Sequence, residues 1–525
     1  MAYFESNLRK FFQRFSPSFF IFSIIVIGVY LFFADFALMR WNTADGSTYL
    51  NIAENIANHK GFVVSYNFYH CFTGLYHPLW PYMQPLYPIL CSLFVTHGGI
   101  TQVIRVNIFI LGINSALIFF LLQSLIRTRL NILFLFSLIF SFHFFISALA
   151  CWTEQLHLLL FIISFILFIK FSAHRRILFW LGALNGLMML VRFAHLYNFA
   201  AYILVILIGQ EGREPFRDRL KSLISFSSGF ILIFGSYELL NLIFFHSLYP
   251  QYAQPGANYY YASKTALATY RFPPGICIPP TALAAVKHQS FFLDHMKNFL
   301  LHLSLFAIPL ALAFRIPREN IEQRYFILNC LCQSLFVIVG YSFLLDWLDY
   351  LRYALIPHIL TALAGWLCLY ELFFRSPKKW RKLFAIGVLV VLTFLSLQSY
   401  YARIQRILYP FAINYPQTKS PYYKDFLKSF SWIDQNLPKE ILVASDENQE
   451  AYLMHRPFIS LPPGESYNCH NLNLYNKIYA PDYYLLSSDT SNECFNRIPH
   501  EQIFSNRTFR LLRIKKGAVY NPLKK

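Results

Sequence analysis

Two acidic residues lie beside long apolar runs in this sequence. Asp45 lies in the polar stretch "RWNTADGSTYLNIAENIANHKGF", directly after the first apolar run, and Glu154 opens the stretch "TEQLHLLLFII". A carboxylate can accept a proton from an attacking hydroxyl or amine group, and two carboxylates can share a divalent cation. Asp45 and Glu154 are therefore the candidate catalytic residues, and they are also the residues that could hold a metal ion.

Each acid also has a purely structural explanation. Apolar residues follow Asp45 at helical spacing, so its side chain could simply cap the free N–H groups of a helix. Glu154 could simply favour the positive N-terminal end of its own helix. No H-x-H or D-x-D cluster accompanies either acid, so the sequence leaves a metal cofactor open.

Several cationic and polar side chains could bind an anionic substrate. Arg352 stands at the start of an apolar helix in "DWLDYLRYALIPHILTALAG", where a guanidinium could bind a phosphate through two parallel hydrogen bonds, although Asp349 could instead pair with it. Arg192 follows another apolar run, where an arginine could also extend its charged head to the membrane interface. The remaining substrate-binding candidates are Tyr49, His77, Gln84 and Arg271.

The composition indicates which kind of chain must position these residues. Of the 525 residues, 56% are hydrophobic and only 14% are charged, against about 25% in soluble domains. The mean hydropathy is +0.41. The net charge of +19 comes mostly from Lys and Arg in short loops, as the positive-inside rule describes for membrane proteins. The sequence therefore predicts an all-α polytopic membrane protein with no nucleic-acid partner.

A helix that spans a bilayer needs about 20 apolar residues. Candidate spans are roughly 17–36, 103–126, 131–150, 153–172, 177–193, 195–209, 222–246, 297–314, 324–345, 351–374 and 381–399. Segment 81–97 is ambiguous because it contains three prolines. If it lies in the outer interface or dips and returns, every basic loop is cytoplasmic, which predicts about 11 spans. A genuine crossing compensated by a missed short span is the alternative, for about 11 to 13 transmembrane helices in all.

This topology divides the chain into two predicted domains. A transmembrane domain covers 1–399, with outer loops at 37–102 and 247–296, and a water-exposed domain covers 400–525. The strand-like runs "ILVAS", "FISLP", "YYLLSS" and "FRLLRI", with a helical piece "NQEAYLMH", predict a small α/β fold for the second domain. Its "NRT" at Asn506 is a glycosylation sequon. All the candidate site residues fall on the outer face in this arrangement.

Six stretches of the sequence belong together: "ADGSTYLNIAENIANHKGF", "QPLYPIL", "TEQLHLLLFIISF", "GALNGLMMLVR", "LRYALIPHILTALAG" and "ENQEAYLMHRPFISLP". Taken in this order, they resemble stretches of the GT-C superfamily of integral-membrane glycosyltransferases, in particular the bacterial relatives of protein O-mannosyltransferases and lipid A aminoarabinose transferases. Each stretch is degenerate, so the resemblance rests on their order along nearly the whole chain.

The resemblance implies transfer of a sugar from a polyprenyl-phosphate carrier to an acceptor. It implies that Asp45 is the outer-loop catalytic aspartate, that Glu154 is a second acid, and that Arg352 lies at the carrier end of the site. One position departs from the pattern: some relatives have a basic residue before the proline pair, where this chain has Gln84. The phosphate would then need charge from Arg352, Arg271 or His77.

The implied location is a bacterial inner membrane, with the site and the C-terminal domain on the periplasmic or extracellular side. Two alternatives stay open from the sequence. A transporter or flippase of lipid-linked sugars would keep charged residues near the bilayer midplane, and Glu238 is the best such residue. A polysaccharide polymerase or ligase would also work on the outer face. The sugar and the acceptor, whether lipid, glycan or protein, are not specified.

Overall fold

The structure is a computed structural model of the chain. It describes residues 17–37, 44–63, 66–67, 84–96, 99–126, 128, 130–139, 142–149, 151–171, 174–208, 215–245, 321–344, 355–374, 378–381, 383–384, 386–387, 390, 421–445, 458–460, 481–487, 495 and 499–514. Within these ranges the side chain of Asp45 and those of some other residues lie outside the described part.

The described chain is mainly helical. Its helices are α1 (Pro17–Ala37), α2 (Ala44–Ala57), α3 (Leu86–Val95), α4 (Gly99–Leu125), α5 (Leu130–Ile139), α6 (Phe142–Leu149), α7 (Glu154–Phe171), α8 (Arg175–Val191), α9 (His195–Ile208), α10 (Phe216–Phe230), α11 (Ser236–Phe245), α12 (Ile321–Leu344), α13 (Leu355–Leu369) and α14 (Pro421–Asn436). A π-helical turn, Ile231–Gly235, joins α10 to α11, and another, Tyr370–Phe374, continues α13.

Three described helical segments are long and apolar enough to cross a membrane: Thr101–Leu125, Glu154–Phe171 and Phe216–Ile243. Shorter apolar helices include Phe20–Phe32, His195–Ile208, Tyr325–Val337 and Leu355–Leu369. Helices α5 and α6 both fall in the predicted run at 131–150, and residues 140–141 between them lie outside the described residues. The total of about 11 spans stays a prediction, because 297–314 and most of 381–399 lie outside the described residues.

The proline-rich segment 81–97 contains one short helix, α3. Pro85 occupies its N-cap and Pro88 lies in its first turn, where a missing N–H breaks no helical hydrogen bond. The ten residues of α3 rise about 15 Å, roughly half the thickness of the hydrocarbon core. Helix α3 by itself is too short to cross, and the interfacial or re-entrant placement of segment 81–97 stays a prediction.

Gly182 and Gly186, in the stretch "GALNGLMMLVR", are small residues one helical turn apart, a pattern that favours close helix packing. A Cβ atom on Gly182 would overlap the backbone carbonyl of Phe226 on α10, and one on Gly186 would lie 3.0 Å from the carbonyl oxygen of Phe230. The contact is reciprocal, because a Cβ atom on Gly229 of α10 would overlap a backbone carbonyl of α8. The backbones of α8 and α10 therefore touch, as small residues permit between helices in membranes.

Gly182→Ala should lower the thermal unfolding midpoint of the purified protein. The new methyl group meets backbone atoms of Phe226, which cannot rotate away, and overpacking of this kind costs about 1–3 kcal/mol or more. Gly365→Ala in α13 is the matched control, since its Cβ would meet nothing within 4 Å. Scanning fluorimetry in detergent measures both variants, and equal midpoints would contradict the close contact.

The described segments fall into two compact units. The first contains the described parts of 1–41, 101–237 and 293–404, and the second those of 42–100, 238–292 and 405–525. The predicted domain boundary at 399/400 lies outside the described residues and stays a prediction.

The second unit contains a six-stranded sheet, with strands in the order β1-β3-β2-β4-β6-β5. They are β1 (Tyr66–Asn67), β2 (Val443–Ser445), β3 (Phe458–Ser460), β4 (Tyr483–Ser487), β5 (His500–Ser505) and β6 (Phe509–Ile514). The first four in spatial order are parallel, and β6 pairs antiparallel with both β4 and β5. Phe430 and Ile433 of α14 pack against it. The predicted mixed α/β fold is confirmed, while the predicted helix "NQEAYLMH" lies outside the described residues.

Two features of this sheet were not expected from the sequence. Its edge strand β1 comes from the segment 37–102, predicted to be the first outer loop, and lies about 390 residues before β3, its partner. The side chain of Asn506, in the sequon, is fully engaged: Nδ2 donates to the Asp425 carbonyl and to Ser429 Oγ, and Oδ1 accepts from two backbone N–H groups. Asn506 therefore acts as a structural link between the β5–β6 turn and α14.

Candidate functional site

In the second unit, helices α2 and α3 pack together near their starts. Asp45 is the second residue of α2, and its side chain lies outside the described part. One turn later, the buried ring of Tyr49 meets the ring of Tyr87 on α3 edge-to-face at 5.1 Å. At 1.5 Å of rise per residue, Asp45 lies about 6 Å along α2 from that contact. Tyr49 therefore packs in the helix pair that carries Asp45.

Gln84 lies three residues before Tyr87, so it also sits about one turn from the tyrosine contact. It is only 5% exposed, and neither its Nε2 nor its Oε1 atom has a hydrogen-bond partner among the residues that the structure describes. Burying an amide without partners costs about 1–3 kcal/mol, so such groups call for an explanation. A bound polar ligand beside α3 would supply one.

In the first unit, Glu154 and Arg192 form a buried ion pair. Glu154 is the first residue of α7, and Arg192 is the C-cap of α8. Arg192 Nη1 donates to Glu154 Oε1 at 2.6 Å, and the two side chains are 11% and 2% exposed. The guanidinium therefore lies against a carboxylate within the fold, where both charges are largely withdrawn from water.

A second polar pair lies beside the first. His157, three residues after Glu154, has its Nε2 atom 3.0 Å from Nδ1 of His195, which lies three residues after Arg192. Asn185 Oδ1 lies 2.8 Å from the other ring nitrogen of His195. His157 and Asn185 are absent from the sequence-derived set of site residues. Only once the Glu154–Arg192 contact is known does the equal three-residue spacing of Glu154–His157 and Arg192–His195 indicate that the two histidines also meet.

The structure does not describe the remaining predicted substrate-binding residues. His77, Arg271 and Arg352 lie outside the described residues, so their roles stay predictions, as does the convergence of Asp45 with Glu154 on one face. Glu238, on which the transporter alternative rests, is buried on α11, where Asn241 Nδ2 lies 3.4 Å from its Oε2 atom.

The described residues contain no group of three His, Cys, Asp or Glu side chains placed to hold a metal ion. A divalent cation shared by Asp45 and Glu154 therefore stays an untested alternative.

The comparisons with known proteins show a likeness of fold and no match of sequence. No protein-family model and no curated protein matches the sequence. Among solved structures, ArnT from Cupriavidus metallidurans bound to undecaprenyl phosphate aligns over 96% of this chain and 99% of its own, with a TM-score of 0.59 and 12% identity. The Archaeoglobus fulgidus oligosaccharyltransferase in complex with Zn and sulfate covers 90% of this chain and 68% of its own, with a TM-score of 0.49 and 11% identity. By its likeness to ArnT, this chain has the GT-C fold that its sequence predicts.

Proposed function

We propose that this protein is an integral-membrane glycosyltransferase that moves a sugar from a polyprenyl-phosphate carrier to an acceptor on the outer face of the membrane. The observation that carries the proposal is the end-to-end likeness to ArnT, whose structure holds undecaprenyl phosphate. The order of the six sequence stretches supports it independently. The buried amide of Gln84, just before α3, has no hydrogen-bond partner among the described residues and supports a ligand in the second unit.

In the proposed reaction, Asp45 is the general base. It accepts the proton of the acceptor hydroxyl or amine as that group attacks the anomeric carbon. The bond between the anomeric carbon and the phosphate oxygen breaks, and the polyprenyl phosphate leaves with the electron pair. Attack opposite the leaving group inverts the anomeric centre. Arg352, Arg271 and His77 are the proposed cations for the leaving phosphate, because charge stabilisation at that oxygen lowers the barrier.

A direct assay tests the proposal against the transporter alternative. Purified protein in detergent, without any gradient, receives a radiolabelled polyprenyl-phosphate sugar together with a membrane lipid extract as acceptor. We expect loss of label from the carrier and its appearance in a product. Mass spectrometry of the lipid that co-purifies with the protein would guide the choice of sugar. An intact carrier, with label that crosses proteoliposomes unchanged, would instead establish transport.

Gln84→Leu should weaken binding of the lipid carrier without destabilising the protein. A hydrogen bond to a charged group is worth about 1.5–3 kcal/mol, so KM for the carrier should rise roughly 10-fold or more. The unfolding midpoint of the ligand-free protein should stay equal or rise, because the leucine removes buried polar atoms that lack described partners.

A second buried glutamine provides the control. Gln155 Nε2 donates to Ser147 Oγ at 2.7 Å, and its Oε1 atom accepts from Asn114 at 3.0 Å. Gln155→Leu should therefore lower the unfolding midpoint, since it leaves those partners unsatisfied. If Gln84→Leu lowers the midpoint as much and leaves KM unchanged, the amide has a structural role and not a binding one.

A further inference from the structure

The two histidines beside the Glu154–Arg192 pair belong to a hydrogen-bonded row whose direction is fixed by Asn185. Asn185 Nδ2 donates to the Leu181 carbonyl at 2.7 Å and to Ser164 Oγ at 3.1 Å. Its Oδ1 atom is therefore the acceptor for the ring of His195, whose Nε2 must carry a hydrogen. The row thus connects α8 to both α7 and α9.

The tautomer of the second ring follows from the first. Because His195 carries its hydrogen on Nε2, its Nδ1 atom is an acceptor, and Nε2–H of His157 donates to it. His195 is fully buried and His157 is 5% exposed. His195 must accept at one ring nitrogen and donate at the other, whereas His157 only has to donate.

The row and the ion pair both reach α7, the pair from Arg192 at the C-cap of α8 and the row from His195 at the start of α9. Each contact joins residues 38 positions apart in the sequence. Glu154 and His157 share one face of α7, because residues three apart are neighbours on a helix. The backbone N–H of His195 donates to the Arg192 carbonyl at 3.0 Å, so the turn that carries the arginine is tied to the anchored histidine.

We propose that the His157–His195–Asn185 row is a positioning device that holds Arg192 at ion-pairing distance from Glu154. On the proposed function, these three residues are positioning residues for the charged pair and not catalytic residues. Loss of the row would free the turn after α8, and the guanidinium would no longer be held at one place against the carboxylate.

The test measures the coupling free energy between Glu154 and Arg192, and it needs no assay of sugar transfer. Unfolding midpoints of Glu154→Gln, Arg192→Gln and the double variant form a double-mutant cycle. The cycle is repeated in the His195→Leu and Asn198→Leu backgrounds. Asn198 is the matched control, because it lies one turn further along α9, is 1% exposed and donates to Gln333 at 2.9 Å, away from the pair.

We expect the coupling to fall by about half or more in His195→Leu and to persist in Asn198→Leu, although both lose a buried hydrogen bond. His195→Gln should restore it, since a glutamine amide can both accept and donate. Equal coupling in the two leucine backgrounds would overturn the proposal.

Transfer by the same variants gives a second readout. If the wild type transfers sugar, His195→Leu should lower kcat while Asn198→Leu keeps it, and His195→Leu should add nothing in an Arg192→Gln background. If the wild type transfers nothing, the proposed function fails, but the coupling measurement still decides whether the row positions Arg192.

Discussion

Asp45→Asn should reduce sugar transfer by about 10²–10⁴-fold, the usual contribution of a general base, while the protein still folds and inserts. Asparagine is the informative replacement because it has nearly the shape of aspartate and keeps a side-chain oxygen that accepts hydrogen bonds. The substitution therefore keeps the size and polarity of the side chain at the second position of α2, and it removes the negative charge and with it the ability to accept a proton.

Transfer of label from the polyprenyl-phosphate sugar measures the effect, and scanning fluorimetry checks the fold. Glu54→Gln is the control, because Glu54 is the other acid of α2 and is not part of the proposed site. It should keep the wild-type rate. Near wild-type turnover by purified Asp45→Asn would show that Asp45 is not the general base, and the proton would need another acceptor.

Breaking the Glu154–Arg192 pair should destabilise the first unit strongly. Removing one partner of a buried pair leaves an uncompensated charge, which typically costs about 3–5 kcal/mol. Either Glu154→Gln or Arg192→Gln should therefore lower the unfolding midpoint by many degrees. The double variant should recover much of this loss, because it buries no isolated charge.

An exposed ion pair of the same length provides the control. Arg175 and Asp218 also approach within 2.6 Å, but their side chains are 48% and 44% exposed. Such pairs contribute about 0–1 kcal/mol, so Asp218→Asn should hardly change the midpoint. A similar change for both pairs would contradict the burial of Glu154 and Arg192.

The double variant Glu154→Gln/Arg192→Gln also separates a structural pair from a functional one. If the pair only stabilises the fold, transfer should recover together with the unfolding midpoint. If Arg192 or Glu154 acts on the substrate, the midpoint should recover while transfer stays low. We expect the second result, because a basic residue on the predicted outer face departs from the positive-inside distribution of the other basic clusters.

The sequence by itself predicts those features that depend on local patterns. Helix α7 coincides within a residue with the apolar run at 153–172, because all hydrogen bonds of a helix close within four residues. The close contact at Gly182 and Gly186 follows from small residues spaced one turn apart. The strands β2, β3, β4 and β6 lie in the four predicted runs. The expectation of a GT-C fold rests on the resemblance of six such stretches, taken in order, to that superfamily.

Only the tertiary structure decides which distant residues meet. Nothing in the spacing of Glu154 and Arg192 by itself shows that they form an ion pair, because the contact depends on how α7 and α8 are rotated about their axes. The same holds for the ring pair of His157 and His195, and for β1, which joins a sheet built from the other end of the chain. Local hydrogen bonding and hydropathy set each element, whereas contacts between elements depend on packing that involves the whole chain.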